Sequence, residues 1–335
     1  MLQGTVPEYI SSGSRPVLRR RGNAHMNKKD LLPNGTFPHS PSGLGLALSA
    51  GGARGAYQLG CWRAFLDYGI SFSAIAGSSI GAFNGALICQ NDWNRAYSLW
   101  RELASSKIVA PDAASLSRVL ANAALDVGLL LLPVPKIRML RYLKYALAAG
   151  KFLSRHGALG GLLRYGVTSM TRLKPLVDSY LNLSLVLEGP LPLFVTVYSL
   201  PDITQPLGRT HWFCLQELEQ NEAWDVLAAS MAVPLVFPPI EFQGKIFTDG
   251  GLGRWLPIQP LIEKGFRRIV AVSIRSDVSF RTQDYPSAEI LLIKPEKPLG
   301  RFPLATFRFT PEAVNAWIEQ GYQDTSRLLD SGAVG

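Results

Sequence analysis

At 335 residues the chain is long enough to bury a large core, and its 47% hydrophobic and 18% charged residues describe a globular protein rather than a disordered one. No apolar run approaches the ~20 residues that cross a bilayer, and the first residues lack the charged-then-apolar pattern of a secretory signal. The net charge of +9 is uneven. Nine of the 34 Lys and Arg lie between Val127 and Val177, a stretch without one acidic residue, so the rest of the chain balances its 25 Asp and Glu.

In chain order, residues 1–42 are rich in Pro, Gly, Ser and Asn, carry a basic cluster at Arg19 to Arg21, and read as a disordered tail. The ordered domain is expected over residues 43–335. Leu44 to Ser49 is a short apolar run that predicts a buried strand. The turn Ala50-Gly51-Gly52-Ala53-Arg54-Gly55 follows, then a helix from Ala56 to Tyr68 stopped by Gly69. Ser73 to Ala76 predicts a second buried strand. It is followed by the turn Gly77-Ser78-Ser79-Ile80-Gly81 and a small-residue helix to about Cys89. Strand, glycine turn and helix, repeated, predict a parallel α/β sheet.

Residues 92–180 read as helical and hold the basic stretch, which makes them an insertion or lid within the domain. Within it, Lys136 to Leu147 mixes cations with Leu, Met and Tyr at helical spacing, so residues 127–177 are expected to dock on an anionic membrane surface. Later strands are predicted at Leu193–Ser199, Ile246–Phe247, Arg268–Ile274 and Glu289–Ile293, with a final helix from Pro311 to Leu329. Cys61, Cys89 and Cys214 lack paired spacing and read as free thiols in a reducing compartment.

Three segments carry chemistry. Gly77-Ser78-Ser79-Ile80-Gly81 has the G-x-S-x-G form in a strand–turn–helix setting, which exposes a serine and aims a helix N-terminus at charge developing beside it. Gly51-Gly52-Ala53-Arg54 leaves backbone N–H groups unobstructed for an oxyanion or a phosphate. A dinucleotide turn has similar composition, but the G-x-G-x-x-G spacing is imperfect, and Gly77-Ser78-Ser79 stands where a ribose-binding acid belongs. Thr248-Asp249-Gly250-Gly251 is an Asp-Gly turn after a short strand, open to a purely structural role. The four histidines (His25, His39, His156 and His211) all lack a Gly-rich or strand-end setting; His211 is the least unsuited to a triad, though a local structural role is favoured for it, and if no histidine serves, a carboxylate must take the serine proton.

The set Ser49-Ala-Gly-Gly-Ala-Arg-Gly55, Gly77-x-Ser79-x-Gly81 and Asp249-Gly250-Gly251 resembles the patatin-like phospholipase family in order and spacing. Ala229-Ser230-Met-Ala-Val-Pro234 and Phe237-Pro238-Pro239 add to the match. The resemblance implies a three-layer α/β/α sandwich with a mainly parallel sheet. It implies a serine acyl hydrolase of phospholipase A or lysophospholipase type, with Ser79 as nucleophile and Asp249 as base. Gly51, Gly52, Ala53 and Arg54 would form the oxyanion hole, Gly77 and Gly81 the elbow, and Gly250 and Gly251 the Asp loop. The substrate would be a phospholipid or lysophospholipid, with no metal, cofactor or nucleic acid, in a cytoplasmic protein meeting membranes peripherally. The competing expectation is a non-catalytic lipid-binding module on the same fold. Two positions depart from the family: Ala50 replaces the first glycine of its triple, and Arg254 stands where an Asn is usual.

Overall fold

The computed structural model describes residues 43–106, 170–200, 208–234, 236–279, 284–301 and 304–331. The tail and most of the basic stretch, including Lys136 to Leu147, lie outside them. The first half of the domain runs β1 (Leu44–Leu48), α1 (Ala56–Asp67), β2 (Ala74–Ser78), α2 (Ile80–Gln90) and α3 (Trp93–Ser105). The chain resumes with α4 (Met170–Tyr180), α5 (Leu183–Glu188), β3 (Leu193–Ser199), β4 (Arg209–Cys214) and α6 (Gln220–Ser230). It finishes with β5 (Ile240–Phe242), β6 (Lys245–Asp249), α7 (Gln259–Glu263), β7 (Arg268–Val272), β8 (Glu289–Ile293) and α8 (Pro311–Asp330).

Eight strands form one sheet in the order β5-β6-β3-β2-β1-β7-β8, with β4 also paired to β3. The pairs β1–β2, β1–β7, β2–β3 and β7–β8 are parallel, whereas β3–β4, β3–β6 and β5–β6 are antiparallel. The central parallel strands are apolar and buried on both sides, as a sheet covered on both faces requires. The β5–β6 hairpin turns at Gln243 and Gly244, both with positive φ, the backbone that matches strand twist in a two-residue turn.

The sheet faces are covered unequally, in a three-layer α/β/α arrangement. Leu46, Leu48, Val195, Val197, Val270 and Val272 point into the larger core under α1, α2, α3, α6 and α8. Alternate residues, among them Ala47, Phe194, Ile269 and Ala271, meet a smaller core made by Leu256, Ile258, Leu261 and Phe266 around α7.

Helix ends follow local chemistry. Asp92 accepts from the Arg95 N–H at the start of α3, Glu219 and Glu222 form a capping box on α6, and Thr310 with Pro311 opens α8. Cys61 and Cys214 are buried, Cys89 is partly so, and all three are free thiols. No described helix is long and apolar enough to cross a membrane.

Candidate active site

The shared strand β3 brings the site together. Its residues 194–199 pair with β4 along one edge. The other edge is divided: Leu193 to Thr196 pair with β2 in parallel, and Val197 to Ser199 pair with β6 in antiparallel. β2 and β6 therefore run toward each other and meet end to end. Ser78 faces Thr196 and Asp249 faces Val197, so the residue after β2 and the last residue of β6 are neighbours. Ser79 Oγ donates to Asp249 Oδ2 at 2.5 Å across 170 positions of sequence.

Strand β2 runs through Gly77 and Ser78, two residues beyond the predicted end, which leaves the turn to Ser79 alone. Ser79 adopts φ 55, ψ −125, a left-handed backbone costing a non-glycine residue ~1–3 kcal/mol. A Cβ at Gly81 would lie 2.3 Å from the Leu48 carbonyl oxygen, and one at Gly77 would lie 2.4 Å from Ala82 Cα. The elbow is thus wedged between β1 and the start of α2, and both glycines of G-x-S-x-G answer to backbone crowding.

A polar chain holds the elbow from below. The Ser79 N–H donates to Ser230 Oγ at 2.9 Å, and Ser230 donates to the Thr196 carbonyl at 2.7 Å. On the other side, the Gly251 N–H donates to Asp249 Oδ1 at 2.7 Å, so both carboxyl oxygens are engaged. Asp249 and Ser79 are only 6% and 5% exposed. Burial pushes the Asp249 carboxyl up to about 6, against the opposing pull of its bonds from Ser79 and Gly251.

The glycine turn after β1 lies against both partners. Gly251 approaches Ala50, and Gly55 approaches Ile80. Gly52 has φ 59, and a Cβ there would meet the Thr306 carbonyl oxygen at 2.3 Å. Among the described residues, neither the Gly51 nor the Gly52 N–H donates to a backbone carbonyl. Ala53 is buried in the 3-10 turn that follows. Arg54 turns inward on the loop: Nε donates to the Gly51 carbonyl at 3.3 Å and Nη2 to Thr306 Oγ1 at 3.0 Å. Burial, then the nearby Arg275, lowers its pKa. Arg54 is thus a brace for the turn.

Ser230, although part of the family-like Ala-Ser stretch, has no role legible in sequence. Nor has the buried net beneath the turn, in which Gln58 Nε2 donates to the Ser49 carbonyl at 2.7 Å while Asn84 Nδ2 donates to the Gly55 carbonyl and to Gln58 Oε1. Their one signal was a polar side chain on an otherwise apolar helix. His211 lies on β4, with Nε2 3.1 Å from Ser199 Oγ and burial lowering its pKa, and it does not touch Ser79. A cavity of about 570 Å³ lies on the opposite sheet face, lined by Thr196, Tyr198, Thr210, Trp212, Leu252 and Arg254 among others.

Among characterised proteins, the chain is 25% identical over 273 residues to lysophospholipase NTE1 of Cryptococcus neoformans, covering 82% of this chain and 13% of that protein. It is 25% identical over 276 residues to lysophospholipase NTE1 of Saccharomyces cerevisiae, again 82% and 13%. The chain thus spans about 13% of the length of these curated relatives. Among solved structures, VipD from Legionella pneumophila aligns at TM-score 0.47 and 16% identity, covering 91% of this chain and 73% of that one. The type III effector ExoU of Pseudomonas aeruginosa aligns at TM-score 0.41 and 19% identity, covering 88% and 54%. The patatin-like phospholipase profile matches residues 46–262, a span containing the glycine turn, the serine elbow and the Asp loop, and the chain belongs to that family.

Proposed function

We propose that this chain is a serine acyl hydrolase that cleaves fatty-acyl esters of phospholipids or lysophospholipids, with Ser79 as nucleophile and Asp249 as base. The observation that carries the reading is the 2.5 Å hydrogen bond from Ser79 Oγ to a buried carboxylate. A carboxylate at its ordinary pKa of roughly 4 is a weak base, and one pushed up to about 6 is better matched to a serine proton near neutrality. Family membership and the lysophospholipase names of the relatives supply the lipid ester as substrate class.

In this mechanism Ser79 Oγ attacks the ester carbonyl as its proton passes to Asp249. The Gly51 and Gly52 amides receive the oxyanion, and the dipole of α2 favours the same charge. Collapse breaks the ester C–O bond, and the leaving alcohol takes the proton from Asp249. Water then attacks the acyl-enzyme, giving its proton to Asp249, which returns it to Ser79 as the fatty acid leaves.

The test is labelling by a fluorophosphonate probe alongside hydrolysis of lysophosphatidylcholine. Ser79→Ala is expected to abolish labelling and to lower turnover by ~10³-fold or more while the circular dichroism spectrum persists. Turnover surviving Ser79→Ala would sink the assignment. Lipid binding by the parent protein without labelling or turnover would instead leave a non-catalytic lipid-binding module.

A further inference from the structure

Five large apolar side chains are exposed among the described residues: Leu66, Leu185, Leu252, Leu304 and Phe307. Three of them flank the candidate active site. Leu252, 51% exposed, ends the short turn that begins at Asp249 and Gly250. Leu304, 82% exposed, and Phe307, 43% exposed, lie on the turn Leu304–Phe307, whose Thr306 packs on Gly52 and receives the Arg54 side chain. The glycine turn is therefore touched by two turns that each carry exposed apolar side chains, the Asp loop and the 304–307 turn.

Cations accompany these protrusions. Arg254 follows Leu252 by two residues, Arg301 precedes the 304–307 turn, and Arg308 follows it. All three are exposed, and none forms an ion pair with a described acidic residue. Arg275, paired with Asp277 at 2.7 Å, stacks over Trp255 at 5.5 Å, and the Trp255 carbonyl accepts from the Ala50 N–H. Isolated exposed leucines are ordinary on a globular surface. Apolar tips and exposed arginines on the two turns that touch the glycine turn, with Leu252 and Arg254 also lining the cavity on the other sheet face, match the two layers of a lipid leaflet: acyl chain for the tips, anionic headgroup for the guanidiniums.

We propose that Leu252, Leu304 and Phe307, with Arg254, Arg301 and Arg308, form a docking rim that seats the site on an anionic bilayer. The proposal rests on the lipid-ester reading above and places a membrane contact beside the glycine turn and the Asp loop, within the described fold. A lipid entering from the leaflet then reaches Ser79 without first passing through water.

Binding is read in a Ser79→Ala background, so the outcome is independent of turnover. Co-sedimentation is measured with phosphatidylcholine vesicles, with and without phosphatidylglycerol. The Ser79→Ala parent is expected to prefer the vesicles containing phosphatidylglycerol. Leu304→Ser with Phe307→Ser should weaken partitioning at least ~tenfold, the scale of removing two buried apolar side chains from an interface. Arg254→Gln with Arg308→Gln should weaken it roughly thirtyfold on the anionic vesicles, and raised salt should mimic the loss. Leu66→Ser with Leu185→Ser, which alters exposed leucines elsewhere, should leave partitioning unchanged and serves as the control.

Rim variants that partition like the parent would overturn the proposal, since the contact would then lie elsewhere. So would a parent that binds neutral and anionic vesicles equally. A separate assay of wild-type protein on a soluble short-chain ester tests the hydrolase reading alone, so the two ideas fail in distinguishable ways.

Discussion

At the candidate site the two faces of the central sheet treat buried polar groups in opposite ways. Toward the larger core, the polar atoms at the site are paired in sequence: Ser230 to the Thr196 carbonyl, Ser79 N–H to Ser230, Ser79 Oγ to Asp249, and Asp249 to the Gly251 N–H. Toward the smaller core, the hydroxyls of Ser78 and Thr196, cross-strand partners on neighbouring strands, have no partner among the described residues. An unpaired buried hydroxyl costs ~1–3 kcal/mol, so at the site the smaller-core side carries a loose end where the polar atoms on the other side are paired. The cavity lies on the side of the unpaired hydroxyls, with Thr196 in its lining.

The largest test of this contrast is Asp249→Asn. The amide keeps the shape but donates where the carboxylate accepted, and turnover is expected to fall by ~10³-fold or more, as measured on lysophosphatidylcholine. Stability moves the other way. Because the folded carboxyl holds its proton more tightly than the unfolded one, the native state binds the extra proton between roughly pH 4 and 6. Stability therefore falls as pH rises through that window, by about 3 kcal/mol when complete, and stays lower above it. Chemical denaturation should find Asp249→Asn more stable than the parent at pH 8 and close to it at pH 4. The parent's kcat/KM should in turn show its acidic limb near pH 6, and a limb near 4 would remove burial as the source of basicity.

Ser230→Ala is the next step down. It frees the Ser79 N–H at a backbone already under strain, so a loss of ~1–3 kcal/mol in stability is expected, together with about a tenfold fall in kcat. An unchanged kcat would show that the glycine wedge alone sets the elbow. Thr196→Val, on the other face, is the smallest effect. The isosteric change removes an unpaired hydroxyl and should be neutral or stabilising by up to about 1 kcal/mol, with turnover unchanged. A marked loss there would mean that this hydroxyl has a partner and that the two faces are less different than described.

What was legible in the sequence followed from glycine. Ser79 and Asp249 stood out because the residues around them pack where no side chain fits, and crowding of that kind is written directly as Gly77, Gly81 and Gly250. Strand β3 matched its predicted bounds, being a continuous apolar run buried on both faces, and α8 matched to one residue through its Pro311 start and its Val314, Trp317 and Ile318 stripe. Strand β4 went unseen because Arg-Thr-His-Trp-Phe-Cys is half exposed along its length and shows no apolar alternation. β5 is too short for any period, and α6 shares its apolar positions among several neighbours. Ser230, Gln58 and Asn84 were hidden for a different reason: their partners lie far away in sequence, and a hydrogen bond between distant side chains leaves no local pattern.

The divided edge of β3 has a consequence for how this chain can vary. Adjacent positions on one strand set the meeting of Ser79 and Asp249, so the length of polypeptide looping out between the elbow and the Asp turn has no influence on their separation. Lengthening or shortening the connection from α3 to α4 is then geometrically free, whereas one residue inserted between Thr196 and Val197 would pull the two groups apart by ~3.3 Å and break their bond.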